Sequence, residues 1–169
     1  MAYEDRIPVD LTGGCQCGAV RYRASERNDN AHICHCRMCQ KAMGNYFAPL
    51  VSVDRRAFTW TRGAPARFRS SANVDRGFCS ACGTPLFYDD VTSTHISITL
   101  GSLDHPELVP PVTLDGTQGV MPFFATLHQL PDTGVTGDDD PDWAAAIAAS
   151  NRQHPDHDTD DWPPVHRPG

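Results

Sequence analysis

Gly13-Gly14-Cys15-Gln16-Cys17-Gly18, Cys34-His35-Cys36-Arg37-Met38-Cys39 and Cys79-Ser80-Ala81-Cys82-Gly83 together contain all seven cysteines of the chain. The cysteines fall in clusters of two, three and two, and that grouping decides how the fold is read. An odd count leaves one thiol over in any disulfide framework, and a Cys-x-Cys pair closes a ring too small for ordinary disulfide geometry. Metal ligation accounts for the pattern better. Zinc accepts four thiolates in a tetrahedron, and short Cys-x2-Cys loops supply them two at a time. Only the two pairs sum to four without splitting a cluster. Cys15, Cys17, Cys79 and Cys82 are therefore assigned to a closed structural zinc site. Cys34, Cys36 and Cys39 are left for a second zinc with an open fourth position, the arrangement of catalytic rather than structural sites. The alternative is a second site closed by a histidine, with His32 and His35 nearby and His95, His105 or His128 reachable through folding. In an extended segment His35 points away from the metal that its neighbours share.

Working outward from the cysteines, short alternating segments surround them. Strands are predicted at Ala19–Ala24, Tyr46–Val53, Ala57–Trp60, Arg67–Ser71, Gly77–Cys79, Pro85–Tyr88 and His95–Leu100, with Pro49 implying an edge or a bulge. Residues 1–10 read as a polar lead-in and Ser25–Ala31 as a loop, and Arg37–Ala42 suits a short helical turn. Closely joined short strands imply a mainly β, antiparallel domain. One C-terminal helix is predicted near 142–150, where Pro141 and Asp139, Asp140 and Asp142 precede an alanine-rich run. The polar, proline-containing stretch from His154 onward shows no apolar face and reads as an extended tail. Phe47, Phe58, Trp60, Phe68, Phe78, Phe87 and Tyr88 are read as core.

The chain has 169 residues, is 40% hydrophobic and carries a net charge of −7. That length suits one core. The acidity belongs to the C-terminus, where nine Asp face only Arg152 and Arg167 beyond residue 131. A charge-balanced body lacks the basic footprint of a nucleic-acid reader. No apolar run suits a membrane span, and the polar N-terminus does not resemble a secretory signal, so no membrane partner and a cytoplasmic location are expected. Thirteen Arg against Lys41 alone suggest a GC-rich bacterial source.

The stretches Gly13–Tyr22, Cys34–Lys41 (CHCRMCQK), Phe78–Leu86 (FCSACGTPL) and Ile98–Asp104 (ITLGSLD), taken in order, resemble the glutathione-dependent formaldehyde-activating enzyme family, which includes centromere protein V. The resemblance covers residues 11–124 as one zinc domain and leaves 125–169 as a C-terminal extension. It implies an antiparallel β-tent fold, two zinc ions per chain, and the triple as the catalytic zinc site. It also implies carbon–sulfur lyase chemistry, the condensation of glutathione with formaldehyde to S-hydroxymethylglutathione. The run Pro110–Phe124 lacks the His and Trp that the name-giving enzymes carry there, which leaves the substrate open. Arg21, Arg23, Arg37 and Arg76 are candidates to receive a glutathione carboxylate, with Arg37 favoured by its place inside the cysteine cluster. Phe123 and Phe124 are candidates to line a pocket. Two other function classes stay in view: a scaffold with two structural zincs, and a thiol redox or metal sensor.

Overall fold

A computed structural model of the chain describes residues 6–161. Ten strands form two sheets. The smaller sheet has the order β1-β2-β5, with β1 Arg6–Gly14, β2 Arg21–Asn28 and β5 Phe58–Arg62. The larger has the order β10-β3-β4-β9-β8-β7-β6, with β3 His32–Cys34, β4 Ala48–Asp54, β6 Ala66–Ser71, β7 Val74–Phe78, β8 Pro85–Asp90, β9 His95–Thr99 and β10 Thr113–Asp115. All pairings are antiparallel except β10 with β3, which run parallel. The chain is thus mainly β, as the segment pattern predicts.

The sheets pack face to face through β2 and β4, with Tyr22, Ala24, Val51, Val53, Leu86, Phe87 and Ile98 at the centre, all at most 1% exposed. Pro49 sits where β4 pairs only with β3, since β9 joins at Leu50, so the missing N–H falls at an edge-like position. Gly77 is required by close approach, because a Cβ there would lie 1.8 Å from the Phe87 ring.

Several expectations are corrected. The polar lead-in is a strand from Arg6, because Ile7, Val9 and Leu11 alternate inward with exposed Pro8 and Asp10 between them, and the strand pairs with β2 across a bulge between Pro8 and Leu11. That pairing draws Ser25–Asn28 into β2 rather than a loop. Phe68 and Phe78 are not core, being 62% and 36% exposed near the free edge at β6. The helix predicted near 142–150 is present as α2, Pro141–Ser150, started by Asp140 accepting the Trp143 N–H at 3.0 Å.

The tail is not free either. His154 is buried and its N–H donates to the Gln16 carbonyl at 2.7 Å. The Asp158 carboxylate receives Arg21 at 2.7 Å, and Thr159 receives Arg62. Contacts of this kind are polar, which is why no apolar pattern announces them. Residues 162–169 of the tail lie outside the described residues. Among the described residues no helix is long and apolar enough to cross a membrane.

Candidate metal centre and thiol cavity

Cys15 and Cys17 stand in the turn between β1 and β2, and Cys79 and Cys82 in the turn between β7 and β8, so each pair comes from a different sheet. Their four sulfurs lie within 4.8 Å of one another. Cys15 and Cys17 are 3.6 Å apart and Cys17 and Cys79 3.9 Å apart. A disulfide would bring two sulfurs to about 2.05 Å. Sulfurs bound at about 2.3 Å to a tetrahedral zinc stand about 3.8 Å apart, so the donor type and spacing fit zinc.

The turns are built to hold thiolates. Val20 N–H donates to Cys15 Sγ at 3.3 Å and Ala81 N–H to Cys79 Sγ at 3.4 Å. Gly83 adopts φ +80° so that its own N–H returns to the Cys79 carbonyl at 2.8 Å. Burial pushes the Cys82 thiol up, but hydrogen bonds from Thr84 and Cys17 together outweigh it and hold the group at about 6. Burial pushes the Cys17 thiol well above its ordinary range.

The second cluster is local. Cys34 ends β3, Cys36 caps α1 (Arg37–Met43) by accepting the Cys39 N–H at 3.4 Å, and Cys39 stands in the first turn of that helix. The helix is the short turn predicted there. The three sulfurs lie within 4.8 Å of one another, and among the described residues no His, Asp or Glu completes a four-ligand group.

Two devices fix the Cys34–Cys36 backbone. The end of β10 and the residue after it press on it, with His35 N–H donating to the Asp115 carbonyl at 2.8 Å. Gly116, at φ +60°, has no room for a side chain because a Cβ would lie 2.7 Å from the Cys36 nitrogen. Buried Gln40 ties the layers together, its amide donating to the His35 carbonyl at 2.9 Å and to the Gly119 carbonyl at 2.7 Å. His35 itself turns away from the sulfurs, as the alternation predicts, and is fully buried with its ring 4.5 Å from that of Phe124.

The three thiols line a cavity of about 310 Å³ shared with His32, Tyr88 and Arg76. Arg76, only 7% exposed, donates from Nη2 to Cys39 Sγ at 3.5 Å and from Nε to Ser70 Oγ at 3.3 Å. Its carbon centre stands 5.2 Å over the Tyr88 ring. The hydrogen bond from Cys34 and then the Arg76 guanidinium hold the Cys39 thiol down at about 5, while sharing with Cys39 pushes the Cys34 thiol up. His32 has Nδ1 2.8 Å from the Asn30 carbonyl and Nε2 3.6 Å from the Asp115 carboxylate.

The other candidates lie elsewhere. Arg37 is exposed, reaches Gln40 Oε1 at 3.3 Å and borders a neighbouring groove rather than this cavity. Phe124 packs on His35, and Phe123 lies with its ring 5.0 Å from that of Tyr46; neither lines the cavity. Arg21 is buried in a two-point ion pair with Asp104, at 2.7 and 2.5 Å, and Arg23 pairs with Asp10 at the surface. Of the four arginines named from sequence, Arg76 is the one the fold brings to the thiols. Its register opposite Tyr88 carries that signal, and register is invisible in a single sequence.

The model of the glutathione-dependent formaldehyde-activating enzyme family matches residues 10–115. The chain belongs to this family. An uncharacterized lyase of Schizosaccharomyces pombe is 24% identical over 79 residues, a match covering 47% of this chain and 57% of that protein. A crystal structure of a Rhodobacter sphaeroides protein superposes with a TM-score of 0.52 at 21% identity, covering 61% of this chain and 98% of the other. That likeness concerns the fold alone.

Proposed function

We propose that Cys15, Cys17, Cys79 and Cys82 hold a structural zinc, and that Cys34, Cys36 and Cys39 hold a second zinc where a low-molecular-weight thiol such as glutathione adds to a small aldehyde. The observation that carries this reading is the unfinished second cluster: three thiols converge with no fourth His, Asp or Glu among the described residues, and they open on a cavity. Bound there, zinc supplies an open coordination position that favours the thiolate form of an incoming thiol at neutral pH.

The protein's own part is to set charge and approach. Three thiolates around a divalent ion sum to −1, and the Arg76 guanidinium brings the assembly to neutral. Without that cation a fourth, anionic sulfur would enter against net negative charge in a partly desolvated site. In the reaction the substrate sulfur loses its proton and forms a bond to the carbonyl carbon. The carbonyl π pair moves to oxygen, which takes up a proton, so thiol and aldehyde give the hydroxyalkyl thioether with nothing left over. The reverse direction is the carbon–sulfur lyase. Holding both reactants in one cavity supplies the proximity.

The test is exchange spectroscopy with 13C-labelled formaldehyde and glutathione, with and without zinc-loaded protein. Acceleration of adduct formation that is lost in Cys34→Ala supports the reading. No acceleration with glutathione or a panel of other small thiols, at two zinc per chain, overturns it.

A further inference from the structure

Beside the thiol cavity, between α1 and β6, runs a second depression of about 590 Å³ bordered by Arg37, Met38, Lys41, Phe68 and Arg76. Met38 and Arg76 line both spaces, so the two are contiguous at those side chains. Resting on the thiol–aldehyde reading above, we propose that this groove receives the non-reacting arm of the thiol substrate, and that this arm is apolar and carries a carboxylate, so that the preferred thiol is less polar than glutathione.

Three observations lead there. The first is apolar exposure at one place: Met38 and Phe68 are each 62% exposed on the two facing elements. Large apolar side chains held open to water beside a reactive site mark a binding groove more often than chance exposure does. The second is charge, since Arg37, Lys41 and Arg76 are all cations and, among the described residues, no acid borders the groove. The third is an unmet donor. Arg76 is 93% buried, its Nε and Nη2 are satisfied by Ser70 and Cys39, and Nη1 is buried with no acceptor among the described residues. A buried charged donor without an acceptor is costly, and a carboxylate is the acceptor that a guanidinium fits best. Met38 lines both spaces with an exposed, unbranched side chain.

Volume agrees with this division of labour. Formaldehyde and a sulfhydryl fill little of the 310 Å³ thiol cavity, whereas the groove has room for a phenyl-sized group, given that an apolar cavity of about 150 Å³ holds benzene. A substrate with a short, wholly polar arm would leave Met38 and Phe68 facing water.

The test uses 3-phenylpropionate, which has no thiol and no aldehyde, titrated into the zinc-loaded full chain and followed by amide chemical shifts and by the thermal midpoint. The expected result is saturable shifts of the amides of residues 37–42 and 66–71. Propionate and 3-phenylpropanol, each carrying half of the recognition, should bind about tenfold more weakly or worse. Phe68→Ser should weaken 3-phenylpropionate about tenfold, and Lys41→Gln about two- to fivefold, the scale of one exposed charge contact. Both side chains are at the surface, so the variants fold. Absence of saturable shifts overturns the proposal, as does equal binding of the neutral alcohol or undiminished binding by Phe68→Ser. Failure here with thiol-dependent formaldehyde exchange intact overturns the groove alone. Groove binding without any such exchange overturns the thiol reading, and with it the substrate role of the groove.

Discussion

Removing one ligand from each cluster should have unequal consequences, and the topology sets the inequality. Cys17 and Cys79 are separated by 62 positions and belong to turns of different sheets, so an ion on the first cluster closes a long loop and joins the layers. Treated as a cross-link, such a loop restricts the unfolded chain by about 4 kcal/mol at room temperature, against about 2 kcal/mol for the few residues from Cys34 to Cys39. Structural zinc contributes on the order of 10–16 kcal/mol in apparent binding free energy, as much as the whole stability of about 5–15 kcal/mol expected of a domain. Cys79 is also 1% exposed within the main core cluster, so its loss leaves a void there. Cys79→Ala should therefore lose both zincs and its cooperative melt. Cys34→Ala should keep a cooperative melt and about one zinc. The assay is metal content by atomic emission on protein purified without chelator, paired with a calorimetric scan. If Cys79→Ala melts cooperatively with one zinc while Cys34→Ala does not fold, the structural and open roles are reversed.

Three further outcomes follow from the packing. Asp104→Ala leaves the Arg21 side chain, 3% exposed, with only the half-exposed Asp158 for a partner, and should cost about 3–5 kcal/mol in a urea titration; a loss under 1 kcal/mol would show that the pair is not desolvated as the structure has it. Truncation after Arg152 removes the His154, Asp158 and Thr159 contacts with Gln16, Arg21 and Arg62, and should lower stability by about 1–3 kcal/mol while both zincs stay, so an unchanged midpoint would show the tail to be detached. Burial pushes the Asp89 carboxyl up, but Arg55 and Arg67 outweigh it and hold it below the usual carboxylate value; its contribution is then present above about pH 4 and lost as pH falls below that, so Asp89→Asn should flatten the acid limb of a stability-against-pH curve.

The two sulfur clusters were legible in the sequence because their signal is chemical and short-range. Spacing within a turn sets which sulfurs can share an ion, and the two-three-two count did the rest. Strands β5 and β9 were legible for a similar reason, since a half-buried strand writes its alternation locally, whereas β7 was met only at Gly77 and Phe78. Strand β1 carries the same alternation at Ile7, Val9 and Leu11, but Pro8 and Asp10 between them mask it. What could not be read locally was whatever depends on register. Strands β3 and β10 are three residues each and exist through pairing, β3 antiparallel to β4 and parallel to β10, which no short window encodes. The choice of arginine shows this most sharply. Arg37 adjoins the cysteines in sequence, yet its position in the first turn of α1 turns it to solvent, whereas Arg76 comes from β7 and reaches Cys39 only because three antiparallel pairings, β7 to β8 to β9 to β4, fold that strand back toward the helix. The tail failed for the complementary reason. A search for an apolar face cannot see a segment held by Arg21 and Arg62, whose own burial is a product of the fold. Proximity in sequence therefore identified the sulfurs that cluster, and proximity in the sheet identified the cation beside the second cluster; a substitution that shifts the β7–β8 register should disturb the thiol cavity while leaving every cysteine in place.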